Sequence, residues 1–301
     1  MTSVTLKINQ DILNKMNDFY KEIIVLNDVN KGNYIVWSAK TIDDVVITIY
    51  SSNKGTKALF TGENALNEAR IWDKNAVINI PKEKIKAEWL SLDDQIGSDE
   101  VGTGDFFGPV VVVASYVSKN DIEWLRSLKV NDSKKLTDEK IKEIAPELMK
   151  KITYIKQICS PVKYNEQIKK GQSMNSIKAL LHNNALRKVR NKVGEVPCFV
   201  DQFCDVDKYY YYLIDQKEIV NKRITFRTKG ESFYPSVAVS SIIARYLFLK
   251  EIELMSASLN TDIPLGASIK VDECAKKLVN KFGKEKLEEY CKINFVNYKN
   301  L

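Results

Sequence analysis

Apolar and polar residues alternate singly from Ser3 to Ile8, a period of two that predicts a short strand. Behind it, Ile12, Leu13, Met16, Phe19, Tyr20, Ile23 and Ile24 recur at the helical period, with Asp11 offered as N-cap. Asn33 to Ala39, Val45 to Tyr50 and Thr56 to Thr61 return to strand-like runs, separated by turns at Thr41 to Asp44 and Ser51 to Gly55. A second helix fits Glu63 to Trp72. The order β-α-β-β-β-α implies a small antiparallel sheet with helices on one face.

From Asp73 to Asp94 the periodicity fades around Pro81 and a lysine-glutamate run, so residues 76–94 read as a linker between a first domain, 1–75, and a second, 95–301. The second domain opens with two strands joined by a glycine turn tight enough to force antiparallel pairing. Lys119 to Leu128 and Asp138 to Lys150 read as helices, with Asp132 or Thr137 offered as a helix cap between them. Tyr154 to Ser160 reads as a strand and Asn175 to Lys192 as a long helix whose inward face is Ile177, Leu180, Leu181 and Ala185. Pro197 to Phe203 is a short strand ending at Asp201, Asp207 to Asp215 a helix packing its tyrosines, and Ile224 to Thr228 another strand. Pro235 opens a long apolar helix, hydrophobic enough to lie buried against a sheet. Val271 to Phe282 and Glu285 to Ile293 close the chain as helices. The whole is α/β, α+β overall: a mixed sheet flanked by helices, preceded by a small antiparallel sheet.

Composition narrows the chemistry more than the fold. At 301 residues the chain is long enough for two cores, and 44% hydrophobic content is that of a globular protein. No apolar run approaches the roughly 20 residues of a membrane helix and MTSVTLKINQD lacks the pattern of a signal peptide, so a cytoplasmic protein without membrane contact is expected; it is also expected to be a monomer. The five cysteines are scattered without a C-x-x-C pair, and His182 is the sole imidazole, which disfavours zinc and nucleophilic-cysteine sites. His182 sits beside the apolar stripe of its helix, where packing or hydrogen bonding is the plain reading. Any metal must then be held by oxygen. A net charge of +7 is compatible with a polyanionic partner.

Gly97 to Val113, GSDEVGTGDFFGPVVVV, changes chemical character three times. Asp99 and Glu100 stand side by side, Gly102, Gly104 and Gly108 follow, and four valines complete the stretch. Adjacent acids repel unless water surrounds them or a cation lies between them, so an acid pair set against a buried strand points to a hard cation held by oxygen ligands. For an isolated Asp-Glu pair beside a glycine, a solvated turn is the commoner explanation.

DEVGTGDFFGP resembles, almost letter for letter, the opening metal-site motif of ribonuclease HIII, a bacterial branch of the type 2 ribonucleases H. The sister branch, ribonuclease HII, carries Gly-Arg-Gly where this chain has Gly102, Thr103 and Gly104. DSKKLT (132–137) and KGESFYPSVAVSSIIAR also resemble the family, and the first domain looks like half of the TATA-box-binding protein. The resemblance implies a ribonuclease H-like fold and four acidic residues, Asp99, Glu100, Asp201 in VDQF and Glu231 in KGES, holding two Mg2+ or Mn2+ ions. It implies hydrolysis of the RNA strand of an RNA/DNA hybrid, giving 5′-phosphate and 3′-hydroxyl ends, with no organic cofactor. Gly102, Thr103 and Gly104 would read the ribose 2′-hydroxyl through their backbone, and Ser133 and Lys134 would meet phosphate. In the small domain, Lys40, Lys54, Lys57, Trp37 and Tyr50 either face nucleic acid or simply solvate and fill the sheet. Two alternatives stay open: incision at single ribonucleotides in the manner of ribonuclease HII, which Thr103 and Pro264 to Ser268 put in doubt, and a non-catalytic nucleic-acid-binding protein on the same fold.

Overall fold

A computed structural model describes residues 2–26, 35–52, 55–79, 89–131, 136–220 and 224–301. Ser133, Lys134, Lys54 and Pro81 lie outside the described residues. The chain divides into two compact units, Met1–Ile85 and Lys86–Leu301.

The first unit runs β1 (Ser3–Ile8), α1 (Gln10–Tyr20), β2 (Ile24–Leu26), β3 (Ile35–Lys40), β4 (Val46–Ser52), β5 (Gly55–Thr61) and α2 (Ala65–Arg70). Its sheet is antiparallel throughout, in the order β1-β5-β4-β3-β2. Two expectations change. Asn9, not Asp11, caps α1, its side chain accepting from the Ile12 amide at 2.9 Å. The helix also stops at Tyr20, and Ile24 pairs with Ala39 as part of a fifth strand. The β-branched run Ile23 to Val25 fits either period, and pairing with β3 decides for strand.

Alternation sets the faces of this sheet. Val4, Leu6, Ile8, Ile47, Ile49, Ala58 and Phe60 are buried beneath the helices with Met16 and Tyr20. Trp37 joins them, 2% exposed, its indole N–H donating to Asn17 at 2.6 Å, so it fills the core. Lys7, Tyr50 and Lys57 stand in one row across the opposite face, since Lys7 and Tyr50 are both register partners of Lys57. Lys40 instead pairs with Asp44 at 2.7 Å. Ala76 is buried in this core and the Asn79 side chain donates to Ser3 and Thr5, each at 3.0 Å.

The second unit's sheet comprises β6 (Gln95–Val101), β7 (Val110–Val117), β8 (Tyr154–Cys159), β9 (Cys198–Asp201) and β10 (Ile224–Arg227), in the order β10-β9-β6-β7-β8. β6, β7 and β8 are an antiparallel meander, and β9 and β10 run parallel to β6. Around it lie α3 (Ile122–Ser127), α4 (Asp138–Lys151), α5 (Pro161–Lys169), α6 (Met174–Val193), α7 (Val206–Tyr211), α8 (Pro235–Leu259), α9 (Ile269–Phe282), α10 (Lys284–Leu287) and α11 (Val296–Lys299). The valine run is explained by a sheet covered on both sides: Val111 and Val113 pack with α4, α8 and α9, while Val110 and Val112 pack with α6. Contact between α8 and β6 is direct. A Cβ at Gly97 would stand 2.3 Å from the Val237 nitrogen, so only glycine fits.

Sequence periodicity missed α5 and α11 and overextended the last helix. Residues 285–293 are helical only as far as Leu287, because the backbone from Tyr290 to Lys292 is instead bonded to Phe106 and Gly108.

Candidate active site

β6 carries its two acids to the edge of the glycine turn. Asp99, 7% exposed, accepts from the Glu100 amide at 2.7 Å through Oδ1. Burial first, then the negative charges of Glu100 and Asp201, hold its carboxyl well above the ordinary carboxylate range, against hydrogen bonds from the Ser241 hydroxyl and the Glu100 amide. Asp201 ends β9 and accepts from the Gly230 amide at 2.9 Å. That bond fastens the short 3-10 turn Gly230–Ser232, and with it Glu231, 6% exposed, to the strand end. Parallel pairing of β9 with both β6 and β10 therefore puts the end of one strand beside its neighbours, and Glu100 and Asp201 both fall within electrostatic reach of Asp99.

Glu100 is held by two residues of α6. Lys178 Nζ donates to Oε1 at 2.8 Å and His182 Nε2 donates to Oε2 at 2.9 Å, while Nδ1 of the same ring shares a 2.7 Å hydrogen bond with the Ser98 hydroxyl. Phe203 stacks on His182 and lies 4.2 Å beneath the Lys178 ammonium. Burial raises Glu100, but the hydrogen bond and charge of His182, with those of Lys178, outweigh it and leave the carboxyl below its usual range. Among the described residues no group of three or more His, Cys, Asp or Glu side chains stands ready-made to hold a metal ion.

Beside the acids opens a cleft of about 460 Å³ lined by Glu100, the Gly102 to Asp105 turn, Ser241 and the Arg245–Asp138 pair. Gly102 has φ +94° and its absent Cβ would meet the Pro109 carbonyl oxygen at 2.2 Å, so its glycine is demanded by the turn. Gly104 has nothing within 4 Å of the place a Cβ would take, so the local chain makes no such demand, and the bare backbone faces the cleft. Arg245 grips Asp138 through two bonds of 2.9 and 2.8 Å and holds that carboxyl below its ordinary range. In the first unit, Lys57 and Tyr50 lie on the open face of the small sheet.

The sequence suggested the acids and a packing or hydrogen-bonding place for His182, which its bonds to Ser98 and Glu100 bear out, but Lys178, Ser241 and Arg245 beside them went unassigned. Lys178 with His182, and Ser241 with Arg245, are each spaced four apart on otherwise packed helices; polar pairs at that interval on a core-facing stripe are the signal that was present.

The donor set fits a divalent cation by its chemistry: hard carboxylate oxygens, one of them destabilised by burial and by two like charges, beside an open cleft. Residues 96–298 match the family model described as Ribonuclease HII, and residues 3–84 match one described as a domain of unknown function (DUF3378). A ribonuclease HIII of Bacillus thuringiensis subsp. konkukian (strain 97-27) is 37% identical over 98% of this chain and 96% of its own length. The crystal structure of Bst-RNase HIII in complex with Mn2+ superposes with a TM-score of 0.68 at 35% identity, covering 99% of this chain and 97% of that one. RNase H3 from Aquifex aeolicus, 22% identical, shares the fold with a TM-score of 0.55 over 96% of this chain and 99% of its own. On these matches, and on the mixed sheet with its acids at the strand ends, the chain belongs to the ribonuclease HIII family of type 2 ribonucleases H.

Proposed function

We propose that the chain is a metal-dependent endonuclease that hydrolyses the RNA strand of RNA/DNA hybrids and leaves 5′-phosphate and 3′-hydroxyl ends. The observation that carries this reading is the buried Asp99 carboxyl, raised by burial and by the charges of Glu100 and Asp201, next along the strand to Glu100, which lines an open cleft. Asp99, Glu100, Asp201 and Glu231 would hold two Mg2+ or Mn2+ ions. When bound, such ions supply an activated water and charge neutralisation at the scissile phosphate.

The chain's own residues do the rest. Lys178 and His182 keep Glu100 ionised and oriented, so its oxygens remain acceptors at neutral pH. The Gly102, Thr103 and Gly104 backbone offers N–H and C=O groups to the ribose 2′-hydroxyl, the group that separates RNA from DNA. Ser133 and Lys134 would meet backbone phosphate, and the open sheet face of the first unit, with Lys7, Lys57 and Tyr50, would grip the duplex. The protein is read as a cytoplasmic monomer needing no organic cofactor.

The test is cleavage of three substrates of one sequence: a continuous hybrid, a DNA duplex, and a duplex with a single ribonucleotide. Cleavage of the hybrid's RNA strand alone supports the proposal. Preference for the single ribonucleotide would move the activity to the ribonuclease HII type, and three intact substrates would remove it.

A further inference from the structure

Lys292 lies in the C-terminal segment, is fully buried at 0% exposure, and has no part in the chemistry proposed above. Its Nζ donates to the carbonyl oxygens of Asp105 at 2.8 Å and Gly108 at 2.6 Å, with that of Phe107 at 3.5 Å. Its backbone amide donates to the Phe106 carbonyl at 2.9 Å. The neighbouring backbone adds to the same seam: the Gly108 amide donates to the Tyr290 carbonyl and the Phe106 amide to the Gly266 carbonyl, both at 2.9 Å, while the Gly266 amide donates to Asp105 Oδ1 at 2.6 Å. Every one of these bonds lands on residues 105–108, the continuation of the Gly102 to Asp105 turn that lines the cleft.

A buried ammonium is expensive, and burial pushes this one down to about 7, with the Asp105 charge pulling the other way. Methionine would fill a similar space without that desolvation cost. What an ammonium adds is direction, because it draws several carbonyls of one loop toward a single point through charge-assisted hydrogen bonds. The loop begins at a glycine with φ +94° and contains another, Gly108, at +84°; Phe106 and Phe107 anchor its middle by side-chain burial, and the ammonium fixes the neighbouring carbonyls.

We propose that Lys292 is a positioning residue for the substrate-facing turn: by gathering the carbonyls of Asp105, Phe107 and Gly108 it fixes the Gly102 to Asp105 backbone in the shape that receives the ribose edge of a hybrid. The substrate half of this inference rests on the function proposed above; the clamp itself does not. The experiment compares the full chain with Lys292→Met and with Val189→Ala, a core substitution in α6 that destabilises the other face of the sheet, in a cluster that holds none of residues 105–108 or 290–292. Amide exchange reads the clamp, and steady-state cleavage of a labelled hybrid reads its use.

In Lys292→Met, the Phe106 and Gly108 amides should lose protection about a hundredfold relative to β7, and KM for the hybrid should rise roughly tenfold with kcat within about threefold. Val189→Ala should leave both readouts in place even where its thermal midpoint falls as far. Unchanged exchange and unchanged KM in a folded Lys292→Met protein would overturn the proposal. If wild type cleaves no hybrid, the functional reading fails while the exchange comparison still decides the clamp. If Lys292→Met does not fold, wild-type exchange decides: Phe106 and Gly108 as slow as Val111 to Val113 support the clamp, and exchange orders of magnitude faster overturns it.

Discussion

The two sheets of this protein are built from similar strand lengths and put to opposite uses. In the first unit β1 and β5 alternate buried and outward positions, and only one face carries a core. In the second unit β6 and β7 are buried on both faces, between α8 on one side and α6 on the other. A sheet covered on both sides is stiff and dry, so carboxylates at its strand ends feel one another strongly, as Asp99 does. A sheet covered on one side leaves hydroxyls, lysines and Tyr50 on a solvated face, suited to many weak contacts. Precision belongs to the covered sheet and reach to the open one.

The largest effect should come from the covered sheet. Asp99→Asn is expected to lower hybrid cleavage at least about a thousandfold, while raising the thermal midpoint because a buried, repelled carboxylate becomes a neutral amide. Cleavage assays and calorimetry on the same preparation read both, and a loss of stability would contradict the electrostatic account of Asp99. Next, Gly97→Ala should cost about 3 kcal/mol or fail to fold, because the new methyl meets the α8 backbone, whereas Thr48→Ala on the open sheet should stay within roughly 0.5 kcal/mol. Denaturant titration compares them, and equal costs would erase the distinction between the two sheets.

A smaller effect belongs to the open face. Replacing Lys7 and Lys57 together by alanine should weaken hybrid binding by roughly tenfold at low salt and make the salt dependence shallower by about one unit of slope per lysine, with kcat unchanged. An unaltered slope would remove nucleic-acid contact from that face. The smallest effect is at the cleft's edge. Arg245 first of all holds Asp138 below its ordinary value of 3.8, so this pair stabilises the fold above that pH and the contribution is lost as pH falls through the depressed value. Asp138→Asn should therefore cost at most about 1 kcal/mol near neutrality, the difference shrinking toward zero in acid. A difference that grows in acid would contradict the pairing.

What the sequence disclosed follows the same division. The valine run, the glycine turn and Pro235 announce a buried sheet and its helix, because burial on both faces and a bend without Cβ atoms each restrict residue type sharply. The acids stand out by the likeness of DEVGTGDFFGP, VDQF and KGES to family motifs, since local pattern alone leaves each open to a plain turn or cap. Lys178 and His182 were not assigned to Glu100, since a helix reports which face is inward but not what that face meets. The end of α1 was misread because Ile23 to Val25 fits two periods, and the course of the chain after Leu287 was hidden because the backbone bonds of Tyr290 and Lys292 go to a loop more than 180 residues earlier. Local pattern carries elements; pairing between distant segments must be seen.

The most direct measurement is end-labelled cleavage of a continuous RNA/DNA hybrid by the full chain with Mg2+, with Mn2+ and with chelator. The account predicts internal cuts in the RNA strand with either ion, new ends bearing 3′-hydroxyl, an untouched DNA strand and no cuts under chelation. An RNA strand left whole with both ions, or cut equally well with chelator present, would contradict it.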